Sequence, residues 1–162
     1  MKNSLIRCLF LSEMMMLVSL FTYSQPNKVP PFQIIQASGK AFLAGNLPLG
    51  EPIVIIYFSP ECDDCQQLTK ELLNRIKELN KASIAMITNL SLDKVKQFVT
   101  EYNLDKYPNI IIGTEGNSFF VGNYYKVGKL PFMVLYNKNG DLIKIYDTVL
   151  SIEDLIINLR KL

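Results

Sequence analysis

Histidine and tryptophan are both absent from this 162-residue chain, and cysteine occurs only three times. Without histidine the chain cannot form a Ser-His-Asp triad, a Cys-His catalytic pair or a histidine-containing metal site. A single Cys-x-x-Cys pair cannot supply the four cysteines of a closed zinc site either. The sequence therefore predicts no metal and no cofactor, and its cysteines become the residues whose chemistry has to be explained.

Positive charge is not concentrated anywhere in the sequence. Lys and Arg total 17 and Asp and Glu total 15, so the formal net charge is +2. Binding to nucleic acid needs clustered cations that neutralise phosphates, and the sequence has no such cluster, so nucleic acid is not expected as a partner. With 49% hydrophobic and 20% charged residues, the composition is typical of one globular domain with a hydrophobic core.

The N-terminal segment has the pattern of an export signal. Basic residues open the chain, mostly apolar residues run from Cys8 to Phe21, and small residues precede Gln25. Glu13 interrupts the apolar region, and an uncleaved membrane anchor is the alternative, although a span needs about 18–20 apolar residues. We predict a signal peptide over residues 1–24, no stable membrane span after cleavage, and a periplasmic or otherwise extracytoplasmic location.

Two segments lead into the predicted domain, which covers residues 32–162. Residues 25–31 form a Pro-rich leader that we expect to be extended and poorly packed. Phe32 to Ile35 fits an edge strand, and the stretch from Gly39 to Gly50 is typical of turns and loop. Ile53 to Phe58 is apolar without alternation, which predicts a central strand covered on both faces.

The middle of the domain alternates between strand and helix patterns. After the central strand, apolar residues recur at steps of three and four, which predicts a helix ending near Asn80. Ser83 to Thr88 is a second buried strand, and Ser91 can cap another helix. This order implies a right-handed βαβ unit with parallel strands.

The pattern of the last third of the sequence predicts a β-hairpin followed by a helix. Asn109 to Ile112 fits a short strand, and Phe119 to Tyr125 fits a helical turn whose aromatic side chains serve packing. Phe132 to Tyr136 and Leu142 to Tyr146 flank an Asn-Lys-Asn-Gly turn, which is a strong hairpin signal. Ser151 then caps a final amphipathic helix.

Cys62 and Cys65 stand where the central strand ends and its helix begins. A thiol at a helix N-terminus meets free backbone N–H groups and the positive end of the macrodipole, which favour the thiolate. A thiol three residues later is close enough to form a disulfide with it. We predict that Cys62 attacks and that Cys65, which begins the buried helix face, resolves. A static structural disulfide is the alternative, but a bridge across three residues adds little loop entropy.

Three acidic residues flank the predicted attacking thiol, namely Glu61, Asp63 and Asp64. No cation lies between the cysteines to stabilise a thiolate. The carboxylates are therefore predicted to oppose the helix N-terminus and to lower the reduction potential. The alternative is that Asp63 and Asp64 are ordinary first-turn acids, which the helix dipole favours.

With these elements in order, the chain resembles the thioredoxin-fold proteins, and among them the exported thiol-disulfide oxidoreductases of the TlpA/redoxin type. The strand, Cys62-Asp-Asp-Cys65 and the following helix match the family's active-site unit. Leu130-Pro131 stands directly before the hairpin strand, where the family keeps a cis-proline. The hairpin and last helix are similar to the family's C-terminal half, so the resemblance covers about residues 32–162.

The resemblance implies an α/β thioredoxin-like fold, with a central mixed β-sheet flanked by helices and a C-terminal β-hairpin and helix. It also implies disulfide exchange with protein substrates and with a redox partner that the sequence does not identify. Leu130 and Pro131 would form the wall against which a substrate backbone docks. A thioredoxin-like binding or assembly module with a redox-idle disulfide is the alternative function.

The chain departs from the family pattern around the cysteines. Glu61 replaces a frequent Trp, Asp-Asp replaces a common Gly-Pro, and Ile56 stands at the position of a buried acid, which leaves the proton acceptor for Cys65 open. A peroxidase of the peroxiredoxin kind is disfavoured because Ser59 replaces that family's Thr. A copper-delivery relative would need a histidine.

Overall fold

The computed structural model describes residues 27–147 and 151–162. The predicted signal peptide over residues 1–24 and the first two leader residues lie outside this part. The strands are β1 (Gln33–Gln36), β2 (Ala41–Leu43), β3 (Ile53–Tyr57), β4 (Ser83–Thr88), β5 (Ile110–Thr114), β6 (Phe132–Tyr136) and β7 (Leu142–Tyr146), and the α-helices are α1 (Asp63–Asn74), α2 (Leu92–Tyr102), α3 (Phe120–Tyr125) and α4 (Ile152–Leu159).

The strands form one seven-stranded mixed sheet in the order β2-β1-β5-β4-β3-β6-β7. β3, β4 and β5 run parallel to one another, while β6 pairs antiparallel with β3, and β7 with β6. Every residue of β3 and β4 is buried, as their unbroken apolar runs predict. The predicted α/β fold with a central mixed sheet and C-terminal hairpin is confirmed.

Apolar side chains on the two sheet faces form two separate cores. One core joins the sheet to α1, α2 and α4, and it includes Ile56, Cys65, Leu72, Phe98 and Leu155. The other lies on the opposite face, beneath α3 and the N-terminal hairpin, and it includes Phe32, Ile55, Tyr57, Val121 and Phe132. Because side chains alternate along a strand, Ile56 and Tyr57 point into different cores.

The helix after the cysteines ends earlier than its apolar spacing predicts. α1 stops at Asn74, because Arg75 leaves helical geometry at φ −110° and ψ 14°. A 3-10 turn over Ile76–Glu78 follows and places Leu79 in the core. The apolar steps continue through the break, so the predicted end near Asn80 was wrong by one turn or more.

The region from Gly39 to Gly50 contains a strand that we expected to be loop. Gly39 has φ +83°, a conformation that glycine adopts at little cost, and the chain reverses there. Gln36 N–H then donates to Lys40 O at 2.9 Å, and β2 pairs antiparallel with β1. β2 is therefore the edge strand, and the first strand lies one position inside it.

The described part of the leader packs more closely than its composition suggests. Pro30 is buried, and Val29 N–H donates to Gly140 O at 3.3 Å. Lys28 pairs with Asp141 at 2.6 Å. The expected poor packing was wrong for Val29 and Pro30, whereas Asn27, Lys28 and Pro31 are exposed. The partners of Lys28 and Val29 lie in the hairpin turn more than 100 residues away.

The remaining elements lie where the sequence predicts them, with small shifts at their ends. β5 covers two residues beyond the expected strand, and the 119–125 segment forms the short helix α3. Ser151 Oγ accepts a hydrogen bond from Asp154 N–H at 3.2 Å and so caps α4. In the described ranges, the structure contains no helix long and apolar enough to cross a membrane.

Candidate active site

The strand register brings Cys62 to Pro131. In the β3–β6 pair, Tyr57 lies opposite Phe132. The chain continues from Tyr57 towards Cys62, and Pro131 directly precedes Phe132, so both segments leave the sheet at the same edge. The Leu130-Pro131 peptide is cis, as the resemblance implied, and the carbonyl oxygen of Leu130 lies 4.0 Å from the Sγ of Cys62.

Cys62 forms the N-cap of α1. The N–H of Cys65 donates to the Sγ of Cys62 at 3.4 Å, so the thiol does meet a free backbone donor at the helix start. A turn holds the cysteine in place, since Cys62 N–H donates to Ser59 O at 3.1 Å. Both cysteines are free thiols, and Cys62 is half-buried whereas Cys65 is buried. Cys62 is therefore the thiol that a partner can reach.

Cys65 lies in the apolar core behind Cys62. It is 1% exposed, and its sulfur accepts a hydrogen bond from Ser59 N–H at 3.5 Å. Burial, together with the hydrogen bond to Cys62 and the charges of Cys62 and Asp64, raises the pKa of Cys65 to about 12, although the Ser59 N–H opposes the shift. Cys65 therefore keeps its proton at neutral pH.

The three acidic residues do not form one uniform group. The carboxylate of Glu61 pairs with the ammonium of Lys94 at 2.8 Å, so part of its charge is balanced. Asp63 and Asp64 are exposed in the first turn of α1. Of these carboxylates, Asp64 contributes to the raised pKa of Cys65. The prediction of three similar carboxylates around Cys62 needs this correction for Glu61.

A buried carboxylate is present, but on the other face of the sheet. Glu115 accepts hydrogen bonds from the Tyr57 hydroxyl at 2.7 Å and from Val121 N–H at 2.8 Å. Burial and then Glu115 raise the pKa of Tyr57. Ile56, at the position of the family's buried acid, lies in the apolar core with Cys65. Glu115 was not predicted as a site residue, because its only local signal is that it is an acid directly after an apolar strand.

A cavity of about 300 Å³ opens beside Leu130. Its lining includes Tyr57, Asn89, Phe119, Asn123 and Lys129. This cavity was not predicted from the sequence either. It is built mainly from the Gly- and Asn-rich stretch before Leu130, which has no apolar period from which its position could be derived.

Comparison with known proteins assigns the family. Residues 46–162 match the family model described as the thioredoxin-like domain. Two methylamine utilization proteins named MauD are similar in sequence. The one from Methylophilus methylotrophus is 23% identical over 115 residues, which are 70% of this chain and 51% of that protein. The one from Methylorubrum extorquens is 27% identical over 112 residues, which are 68% of this chain and 51% of that protein. The chain therefore spans about half the length of these relatives.

Solved structures give the same fold. A secreted Mycobacterium tuberculosis disulfide oxidoreductase homologous to Escherichia coli DsbE aligns with a TM-score of 0.67 and 20% identity, covering 82% of this chain and 96% of that one. A thiol-disulfide oxidoreductase from Bacteroides fragilis aligns with a TM-score of 0.67 and 16% identity, covering 83% and 98%. At these identities the structural likeness shows the fold alone. Because the family model covers most of the sequence, the chain belongs to the thioredoxin-like domain family.

Proposed function

We propose that this protein is a thiol-disulfide oxidoreductase that exchanges disulfides with protein substrates through Cys62 and Cys65. One observation carries the proposal. A half-buried thiol caps a helix N-terminus 4.0 Å from the carbonyl of Leu130, with a buried thiol three residues behind it. That arrangement offers one sulfur to a partner and protects the other.

The reductive direction balances as follows. The Cys62 thiolate attacks one sulfur of a substrate disulfide, which forms a mixed disulfide and releases the other substrate sulfur as a thiolate. Cys65 loses its proton and attacks the sulfur of Cys62, which forms the Cys62–Cys65 disulfide and releases the second substrate thiol. The substrate gains two electrons and the protein loses two. A separate redox partner then restores the dithiol.

Leu130 and Pro131 are the proposed docking wall for the substrate backbone. Among the residues that the structure describes, no backbone carbonyl accepts a hydrogen bond from the N–H of Leu130. Its carbonyl faces the Cys62 sulfur, and Pro131 has no N–H to compete near the thiols. An extended substrate segment can therefore pair with Leu130 while its disulfide sulfur meets Cys62.

The electrostatics favour a reducing protein. Asp63 and Asp64 place negative charge beside Cys62, the thiol that is proposed to react as a thiolate. A destabilised thiolate makes the reduced form less stable relative to the disulfide, so the reduction potential becomes more negative. We assign the protein to the reductant side of disulfide chemistry on this basis.

The proposed location is the periplasm or another extracytoplasmic compartment. The basic, apolar and small residues at the N-terminus carry this proposal. The absence of any cysteine after Cys65 also fits a chain that passes through an oxidising space without forming unwanted bridges. One of the proteins with the same fold is a secreted one.

Reduction of insulin by dithiothreitol tests the proposal. We expect the domain to accelerate insulin precipitation, and the Cys62→Ser/Cys65→Ser double variant to be no faster than dithiothreitol alone. A wild-type protein that gives no acceleration would support the binding module with an idle disulfide. Unfolding curves of both proteins show whether the double variant is folded, so a loss of activity can be assigned to the thiols.

A further inference from the structure

We propose that the cavity beside Leu130 binds an acidic side chain of the substrate polypeptide, located within one or two residues of the cysteine that reacts with Cys62. This inference rests on the proposed function and specifies the substrate class. It assigns Asn89, Asn123 and Lys129 as specificity-determining residues.

The cavity lies next to the reacting sulfur. Leu130 lines it and also places its carbonyl oxygen 4.0 Å from the Sγ of Cys62. An extended chain advances about 3.3 Å per residue. A substrate whose sulfur meets Cys62 therefore brings a neighbouring side chain to this opening.

The cavity presents polar groups with unused hydrogen-bonding capacity. The side-chain amides of Asn89 and Asn123 make no hydrogen bond to any other described residue, and Lys129 takes part in none of the ion pairs within that part of the chain. Two amide N–H₂ groups and an ammonium are donors that suit a carboxylate, which only accepts hydrogen bonds. A basic side chain would meet the charge of Lys129 instead.

None of the described residues that line the cavity carries a carboxylate. The buried Glu115 is not in the lining, and it already accepts hydrogen bonds from the hydroxyl of Tyr57, which does line the cavity, and from Val121 N–H. Asp63 and Asp64, which directly follow Cys62 in the first turn of α1, are exposed and would repel an acid. An acidic substrate side chain is therefore favoured at the cavity and disfavoured beside Asp63 and Asp64.

The walls of the cavity are held in place by the fold. Phe119 lines the cavity with φ +46°, a backbone conformation that non-glycine residues rarely adopt. A Cβ at Gly122 would lie 3.0 Å from the Tyr57 hydroxyl, so glycine permits the close contact of α3 with β3. A pre-formed pocket loses little entropy when it orders a substrate side chain.

The test uses short peptides that contain one cysteine in a disulfide with thionitrobenzoate, a coloured leaving group. Glu, Gln or Lys occupies one of the two positions on either side of the cysteine, in an otherwise alanine background. The rate constant of each peptide with the reduced protein is divided by its rate constant with dithiothreitol, which removes differences in intrinsic reactivity. We expect Glu to react about 3- to 10-fold faster than Gln on one side of the cysteine.

Charge reversal identifies the site. Lys129→Glu should abolish or invert the preference. Lys81→Glu makes the same charge change just before β4, whereas Asn89 of the cavity follows the other end of that strand, so this control should leave the preference intact. Asn89→Ala/Asn123→Ala should also reduce the ratio, which covers the case of a misfolded Lys129 variant. Equal rates for Glu and Gln at all positions would overturn this inference. If the exchange still depended on Cys62 in that case, the proposed function would remain supported. No exchange with any peptide would overturn both.

Discussion

The ammonium of Lys94 lies 2.8 Å from the carboxylate of Glu61, the residue directly before Cys62. Lys94 belongs to the first turn of α2, so a second helix supplies a cation beside the active site. Both side chains are about half exposed, and water screens the pair. The charge around Cys62 is therefore set by Asp63 and Asp64, together with a Glu61 carboxylate that Lys94 partly balances.

Removing the charges of Asp63 and Asp64 and removing the charge of Lys94 should shift the reduction potential in opposite directions. Asp63→Asn/Asp64→Asn should raise it by up to about 20 mV per carboxylate, because an exposed charge contributes about 1 kcal/mol or less and about 30 mV corresponds to 1.4 kcal/mol. Lys94→Gln should lower it by a similar amount, since Glu61 then acts unpaired. Equilibration with glutathione measures all three proteins.

The wild-type value itself is also predicted, at below about −180 mV. Lys106→Gln, a lysine on a 3-10 turn after α2, is the matched control and should leave the potential unchanged. A wild-type potential near about −120 mV, or a double aspartate variant that becomes more reducing, would show that the electrostatic argument has the wrong sign.

The buried Cys65 should give the potential an unusual pH dependence. Each proton taken up with two electrons contributes about 30 mV per pH unit. Because the pKa of Cys65 is about 12, the potential should still fall by at least about 30 mV per unit between about pH 9.5 and 10.5. A Cys65 with an ordinary pKa near 8.5 would give a slope close to zero in that range.

The same pKa shift links pH to stability. The unfolded chain releases the Cys65 proton near pH 8.5, whereas the folded reduced protein keeps it, so the reduced form should lose stability as the pH rises above about 8.5. Cys65→Ala lacks this contribution and serves as the control. Urea unfolding of both reduced proteins at several pH values provides the comparison.

The Tyr57–Glu115 hydrogen bond should stabilise the domain. Tyr57→Phe leaves Glu115 buried with only the Val121 N–H as donor, which should cost about 1–3 kcal/mol in the free energy of unfolding. Tyr107→Phe removes a hydroxyl without a described hydrogen bond and should change stability by less than about 0.5 kcal/mol. Equal effects of the two variants in urea unfolding would argue against a role for the pair.

Local pattern was sufficient where an element's neighbours in sequence decide its structure. β3, the start of α1 and the cysteine pair follow from an apolar run, a helix-start signal and a helical period, and the hairpin follows from its Asn-Lys-Asn-Gly turn. The placement of Pro131 came from the family resemblance, because nothing local to residues 130–132 indicates that they meet Cys62. The strand register provides that contact.

Contacts between residues far apart in the chain could not be predicted from local sequence pattern. Tyr57 and Glu115 are separated by 58 positions, and Lys28 meets Asp141 across most of the chain. Glu61 looked like a free charge until α2 placed Lys94 beside it. In each case a polar side chain is explained by a partner that no periodicity or spacing reveals.

Processing at the N-terminus is a further prediction. The natural protein should begin near Gln25, because small residues precede that position after the apolar segment. N-terminal sequencing of protein from the extracytoplasmic fraction measures this directly. Recovery of a chain that starts at Met1 from a soluble cytoplasmic fraction would rule out export.

Trapping of mixed disulfides tests the division of labour between Cys62 and Cys65 most directly. With Cys65→Ser, the half-buried Cys62 should form a mixed disulfide that no neighbouring thiol resolves, so covalent complexes with substrate should accumulate and disappear on reduction. With Cys62→Ser, the remaining thiol is 1% exposed and should trap almost nothing. Non-reducing electrophoresis after incubation with a disulfide-containing protein gives the two yields. Strong trapping by Cys65→Ser alone is the predicted result, and equal trapping by both variants, or by neither, would contradict it.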